Sequence, residues 1–168
     1  MELKKILLEE IKEEHRNTRK ILESIPVSQG SWKPTPKSMS LIHLAAHMAD
    51  LFSYLEIILS TKTFDLAESR TPIDSIREKQ VILSELDACV KRGTDLLEKA
   101  TDEILNEEWT FQFGGQIVSK MSKAKSIRHT VFNHMIHHRG QLTMFLRLLD
   151  IKVPGIFGPT ADEMPAND

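Results

Sequence analysis

Residues 123 to 149 place apolar side chains at helical spacing, and two members of that stripe are histidines. Ile127, Val131, His134, His138, Leu142, Phe145 and Leu149 share one face by the 3.6-residue period. A helix that buries this face must also bury two imidazoles one turn apart. Neutral imidazole nitrogens are costly in an apolar core unless each finds a partner. Any fold for the chain therefore has to bring polar groups, or a cation, to the middle of this helix. Ser122 is placed to cap its start. His137 and Gln141 flank the stripe, and Arg139 points roughly the other way.

Three earlier segments have the same period. A first helix runs from Met1 to about Ile25, with Leu3, Leu7, Ile11, Thr18, Leu22 and Ile25 inward. Glu14 and His15 lie at its margins, where they either reach water or help line a polar pocket. A second helix covers residues 39 to about 60. Ser38 or Ser40 caps it, and Leu44, His47, Leu51, Tyr54 and Ile58 face inward. A third runs from about Ile73 to Lys99, opened by Thr71-Pro72, with Ile76, Leu83, Leu86, Val90 and Leu97 inward. Gly93 within it marks close packing or a weak spot, and Cys89 falls off the stripe as an ordinary free thiol. Four such helices predict an all-α four-helix bundle, in which sites are built from inward side chains on facing helices. At 168 residues the expectation is a single domain over 1–168.

The connections carry their own signals. Residues 26 to 40 form a loop punctuated by Pro26, Gly30, Pro34 and Pro36, with Trp32 as its apolar anchor. Trp109, Phe111 and Phe113 alternate before Gly114-Gly115, and Gln116-Ile117-Val118 follows. That pattern suggests a short hairpin or extended loop packed over the bundle before the last helix. The tail, 151–168, is non-helical, and Ile156 and Phe157 could fold it back onto the bundle.

Composition excludes several functions. A net charge of −2 without a basic block argues against nucleic acid and anionic membrane as partners. The most apolar window, Leu41 to Leu59, contains His43, His47, Asp50 and Glu56, which suits a buried helix and not a membrane span. One cysteine rules out an intrachain disulfide. With no signal-peptide pattern at Met1, the expected location is cytoplasmic.

His134 and His138 are spaced to share one metal ion. Met135 follows the first of them, so the glutamate of the protease motif H-E-x-x-H is missing and that activity is excluded. A third ligand has to come from another helix. His47 is the best placed, although a histidine on an apolar face also serves as a satisfied core residue. His43, one turn earlier at the stripe edge, suits a surface or supporting role. Three neutral histidines fit Zn²⁺, Ni²⁺, Co²⁺ or Fe²⁺ and leave a coordination position open. The alternative for the pair is a hydrogen-bonded polar core without metal.

Taken together, Trp32-Lys-Pro-x-Pro, Ala45-Ala46-His47, His134-x-x-x-His138-Arg139-Gly140-Gln141 and Val153-Pro-Gly-Ile-Phe-Gly-Pro resemble the DinB and YfiT-like family of metal-dependent proteins. The resemblance covers nearly the whole chain. It implies a bundle with up-down-down-up connections, a homodimer, and one divalent ion per chain, Zn or Ni. The implied ligands are His47, His134 and His138; the family pattern does not require His43 or His137. It also implies a small-molecule substrate, which in some relatives includes a low-molecular-weight thiol such as bacillithiol. An open three-His metal lowers the pKa of bound water to roughly 7, or binds a thiol as thiolate. Thiol S-transfer to small electrophiles is the leading expectation, because no carboxylate base is evident beside the ligands. Metal-dependent hydrolysis is the second, with Glu14, Asp50 or His137 as base. Gln141 would orient a ligand or a histidine. A non-enzymatic metal-binding stress-response protein is the third.

Overall fold

A computed structural model describes residues 3–68 and 78–164. Helix α1, Leu3–Glu23, buries Leu7, Ile11, Glu14, Thr18, Ile21 and Leu22. These positions alternate by threes and fours, the spacing of a seam packed against other helices. Leu3, expected inward, is exposed. Glu14, expected at the margin, lies inside that seam.

The second rod consists of α2, Leu41–Asp50, and α3, Ser53–Ser60. Ser40 caps it by accepting the His43 backbone N–H at 3.3 Å. The rod is tightened and not broken at its joint. Leu51 and Phe52 keep helical dihedrals, and Tyr54 and Leu55 donate to the carbonyls three residues back. Leu41–Ser60 is long and apolar enough to cross a membrane by composition, yet 61% of its most apolar window is buried in the fold. Helix α4, Lys79–Lys99, packs on α1, α2 and α3. Thr71-Pro72, Ile73 and Ile76 lie outside the described residues. Cys89 is buried on the α4 seam with Ile82, Leu86 and Gly93, which corrects its expected place off the stripe. A short helix α5, Asp102–Asn106, capped by Thr101, leads to the strands.

The chain is mostly helical but not strictly all-α. Strands β1, Thr63–Asp65, β2, Glu108–Phe113, and β3, Gln116–Ser122, form one sheet in the order β1-β2-β3. The hairpin expected from Trp109-x-Phe111-x-Phe113 is β2–β3, antiparallel with an irregularity at Phe111/Gln112. Gly114 and Gly115 both take positive φ, 58° and 78°, as a two-residue hairpin turn requires. β1, which pairs in parallel with β2, was not expected. Asp65 at its end accepts the Gly114 and Gly115 N–H groups at 2.9 and 2.6 Å and so locks the turn. Trp109 is fully buried, and its indole donates to Thr61 Oγ1 at 3.0 Å.

The fourth rod is α6, Lys123–Ser126, a π-helical stretch Ile127–Asn133, and α7, His134–Leu148. Ser122 caps it through the Lys125 N–H. The wider π turns shift the phase of α7 relative to α6. The buried series therefore runs Val131, Met135, Arg139, Leu142, Leu146, and His134, Phe145 and Leu149 move to half-buried edges. Arg139, expected to point away, is carried into the core. Trp32 anchors its loop by an edge-on contact with Phe145, centroids 5.5 Å apart.

Gly93 is the close approach of α4 to α3. A Cβ there would lie 2.5 Å from Leu55 Cβ. Gly93→Ala is expected to lower stability by about 1–3 kcal/mol in urea denaturation, despite the better helix propensity of alanine. Adding Leu55→Gly, which removes the opposing Cβ, should make the second change at Gly93 nearly harmless; an unchanged penalty would place the clash elsewhere.

Candidate metal centre

α2 and α7 pack together, and the contact brings three rings to one point. The ligand-capable atoms of His47, His134 and His138 all lie within 4.8 Å of one another. Nε2 of His134 and Nε2 of His138 are 2.9 Å apart. The His47 ring stands edge-on to both, with centroids 5.3 and 4.8 Å away. Among the described residues this is the one group of three or more His, Cys, Asp or Glu side chains placed to hold an ion. His43 is not part of it.

The tautomers show whether this donor set fits a cation. Nδ1 of His138 is 2.7 Å from Oε1 of Gln141. An amide oxygen only accepts, so Nδ1 carries the hydrogen and Nε2 of the neutral ring is a bare lone pair. The His134 ring also hydrogen-bonds the Thr130 backbone, in the sense that favours its charged form. With Nε2 turned to His138, that bond falls to Nδ1, leaving the second Nε2 bare as well. Two lone pairs 2.9 Å apart repel. A charged imidazolium between them is disfavoured too, because burial, reinforced by neighbouring histidines, lowers the affinity of all three rings for protons. His47 is lowered to about 4, by burial first and then by His138 and His134. His134 and His138 are lowered for the same first reason. A divalent ion removes the conflict without a proton, so the residues present fit one.

A cavity of about 800 Å³ opens over His47 and His134. Leu66, Phe111 and Val118 form an apolar wall, and Asp50, Asn133 and His137 are among the polar groups facing it. The apolar wall is aromatic in depth: Tyr54 meets Phe64 edge-on, and Phe64 stacks on Phe111 at 6.2 Å. Burial pushes the Asp50 carboxyl up to about 6, against a weak opposing hydrogen bond from Ser53 at 3.4 Å. Burial, then the nearby Asp50, pushes the Tyr54 hydroxyl up to about 12.

The sequence-derived candidates divide accordingly. Asp50 and His137 line the cavity, and Gln141 supports His138 from behind. Glu14 is placed elsewhere: it is buried against Arg139, whose Nη1 donates to its Oε2 at 2.6 Å. A carboxylate committed to that ion pair is not a base for the cavity. His129 and Asn133, which also line the cavity, were missed, because the π stretch that presents them has no signature in a 3.6-residue period.

The DinB family model matches residues 1–167. The uncharacterized protein YrdA of Bacillus subtilis (strain 168) is 33% identical over 63 residues, 38% of this chain and 34% of that protein, so the match spans about a third of its length. A DinB-like protein of Bacillus cereus ATCC 10987 superposes with a TM-score of 0.71 at 22% identity, covering 89% of this chain and 95% of that one. YjoA, a DinB-like protein of Bacillus subtilis, gives 0.63 at 19%, covering 85% and 90%. YfiT of Bacillus subtilis gives 0.66 at 16%, covering 89% of each, and is described as a probable metal-dependent hydrolase with an unusual four-helix bundle topology. At these identities the likeness establishes the shared fold.

Removing Nε2 from either α7 histidine takes one of two converging donors. His134→Ala and His138→Ala are expected to abolish metal uptake, His47→Ala to weaken it strongly, and His43→Ala to leave it near wild type. Gln141→Ala should weaken uptake about 10- to 100-fold by freeing the His138 tautomer. Titration with Zn²⁺ and Ni²⁺ followed by calorimetry tests the set. Loss in the His43 variant with a silent His47 variant would reassign the α2 ligand.

Proposed function

We propose, from the premise that this chain belongs to the DinB family, that it is a divalent-metal-dependent enzyme acting on a small molecule, with hydrolysis as its reaction. His47, His134 and His138 would hold the ion, Zn or Ni. When bound there, such an ion acidifies water or a thiol and polarises a carbonyl. The observation that supports the reading is the cavity, which is lined by His47 and His134 of the three-His cluster and by Asp50. The sequence alone favoured thiol transfer and left Glu14, Asp50 and His137 as candidate bases for hydrolysis; of these Asp50 and His137 line the cavity.

The protein's own groups have separable tasks in this reading. Gln141 holds His138 with Nε2 presented. Asp50, protonated below about pH 6 and ionised above it, takes the proton from the attacking group. The wall of Leu66, Phe111 and Val118 seats the apolar part of the substrate. Thiol S-transfer to a small electrophile is a second reading, supported by a volume of about 800 Å³ that has room for two small substrates.

Metal content comes first: protein purified without added metal should carry about one ion per chain, and the triple His→Ala variant none. Loaded protein is then assayed on ester and amide panels, and in parallel on low-molecular-weight thiols with monobromobimane. Hydrolysis is expected to fall by about 10²- to 10⁴-fold in Asp50→Asn with metal retained. Its rate should rise with pH through a limb at or below about 6, because a base must be ionised and a bound cation favours the carboxylate. Turnover confined to the thiol panel would select the second reading; loaded protein silent on both would leave a non-enzymatic metal protein.

A further inference from the structure

The cavity over the cluster has one wall whose groups have no part in the chemistry above. Every side chain that the fourth rod contributes to it can hydrogen-bond: His129, Thr130, Asn133, His134 and His137. His134 belongs to the cluster. His129 and Asn133 are exposed, and among the described residues neither side chain makes a hydrogen bond, an ion pair or a ring contact. Folding therefore gives neither of them a task.

The π stretch is what brings His129 to this wall. On an α-helix each residue turns by about 100°, so residues five apart leave it about 140° apart. In π winding the backbone bonds run from i to i+5, and the fifth residue nearly completes the turn. Ile127–Asn133 winds in this way, so His129 lies one turn before His134 and on the same side of the rod. The two imidazoles are close enough that His129 disfavours a charge on His134. π turns are rare and recur at functional sites. This one ends where the cluster begins, and with α winding in its place His129 would turn toward the flank of the rod.

We infer that His129, with Asn133 beside it, binds a second polar group of the substrate, which is an amide or ester with an apolar ring-sized body and a neutral hydroxyl or amide a few bonds from the reacting carbonyl. The inference rests on the reading of this cavity as the substrate site of a hydrolase. Leu66 and Val118, 36% and 59% exposed, offer apolar surface for the body. Imidazole and carboxamide both donate and accept, which matches a hydroxyl or an amide in either orientation. One helical turn from His129 to His134 sets the spacing, roughly 5 Å between the second group and the reacting carbonyl.

N-benzoylglycinamide and N-ethylbenzamide share the ring and the first amide, and only the former carries a second. Binding to the protein as purified is read from the methyl resonances of Leu66 and Val118 and the imidazole C–H signals of His129. N-benzoylglycinamide should bind about tenfold or more tightly than N-ethylbenzamide. His129→Ala should abolish that advantage while N-ethylbenzamide affinity, thermal stability and metal uptake stay near wild type. His129→Gln, which keeps a donor and an acceptor, should restore much of it. Equal affinities in the wild type, an advantage that survives in His129→Ala, a loss that His129→Gln leaves unrepaired, or no binding of either probe would overturn the assignment. Binding requires no turnover, so the expected pattern in a protein inactive on every ester and amide would support His129 as a ligand-binding residue and remove the hydrolase reading alone.

Discussion

Two imidazoles with their lone pairs turned toward each other inside a helical bundle are the constraint on which the rest of this structure depends. His134 and His138 face one another at 2.9 Å in surroundings that keep both rings neutral. Left to themselves they would rotate apart or exchange tautomers. They are prevented from both sides: Gln141 fixes the hydrogen of His138, and the Thr130 backbone engages His134. The π stretch immediately before His134 belongs to the same solution. By shifting the helix phase it sends Met135 and Arg139 into the core and leaves His134 half-buried at the cavity edge.

A second buried polar problem sits one residue further along. Arg139 follows His138 directly, and successive residues on a helix point about 100° apart, so the two side chains leave α7 in different directions. His138 turns toward α2 and the metal-competent cluster; Arg139 turns toward α1 and Glu14. Helix α7 is thus a partition with polar chemistry on two faces, which explains its weak amphipathicity for a packed helix: its core-facing side includes His138 and Arg139 beside Leu142 and Leu146. Such a helix is held by specific polar partners as much as by apolar burial.

This division also explains what was legible beforehand. Local pattern found the four rods, the Ser122 cap, Ser40 as one of two candidate caps, the Gly114-Gly115 hairpin and the His134/His138 pair, because each of those is encoded within a few residues of chain; the full set with His47 came from the family resemblance. It placed Arg139 on the wrong side and put Glu14 at a margin, reaching water or lining a polar pocket. Both errors have one origin: the partner of each residue lies more than a hundred positions away, and a charged side chain is read as solvated until its counter-charge is known. Strand β1 was invisible for the same reason. Thr63-Phe64-Asp65 has too few residues to show alternation and becomes a strand only beside β2. The role of Asp50 as a cavity-lining acid, and not merely a polar residue near the end of α2, likewise required the sheet and the fourth rod to be in place.

The sheet is what turns a bundle rim into a site. Without it His47 and His134 would face open water on one side. Trp109, buried and hydrogen-bonded to Thr61, anchors β2 to the end of α3, and Phe111, two residues on, stacks on it and on Phe64. The same ladder continues to Tyr54, which lines the cavity beside Asp50. The aromatic wall of the cavity is therefore rigid where it meets the bundle. Toward the hairpin end it becomes solvent-facing, where Phe113, Ile117 and Val118 are exposed. Substitutions along the ladder would disturb packing and site together. At Val118 or Leu66 the chain can change the shape of the cavity while the histidine cluster and its support remain intact. The shape of the cavity is in this way separable from the cluster that would hold an ion, with the sheet setting the first and the two helices the second.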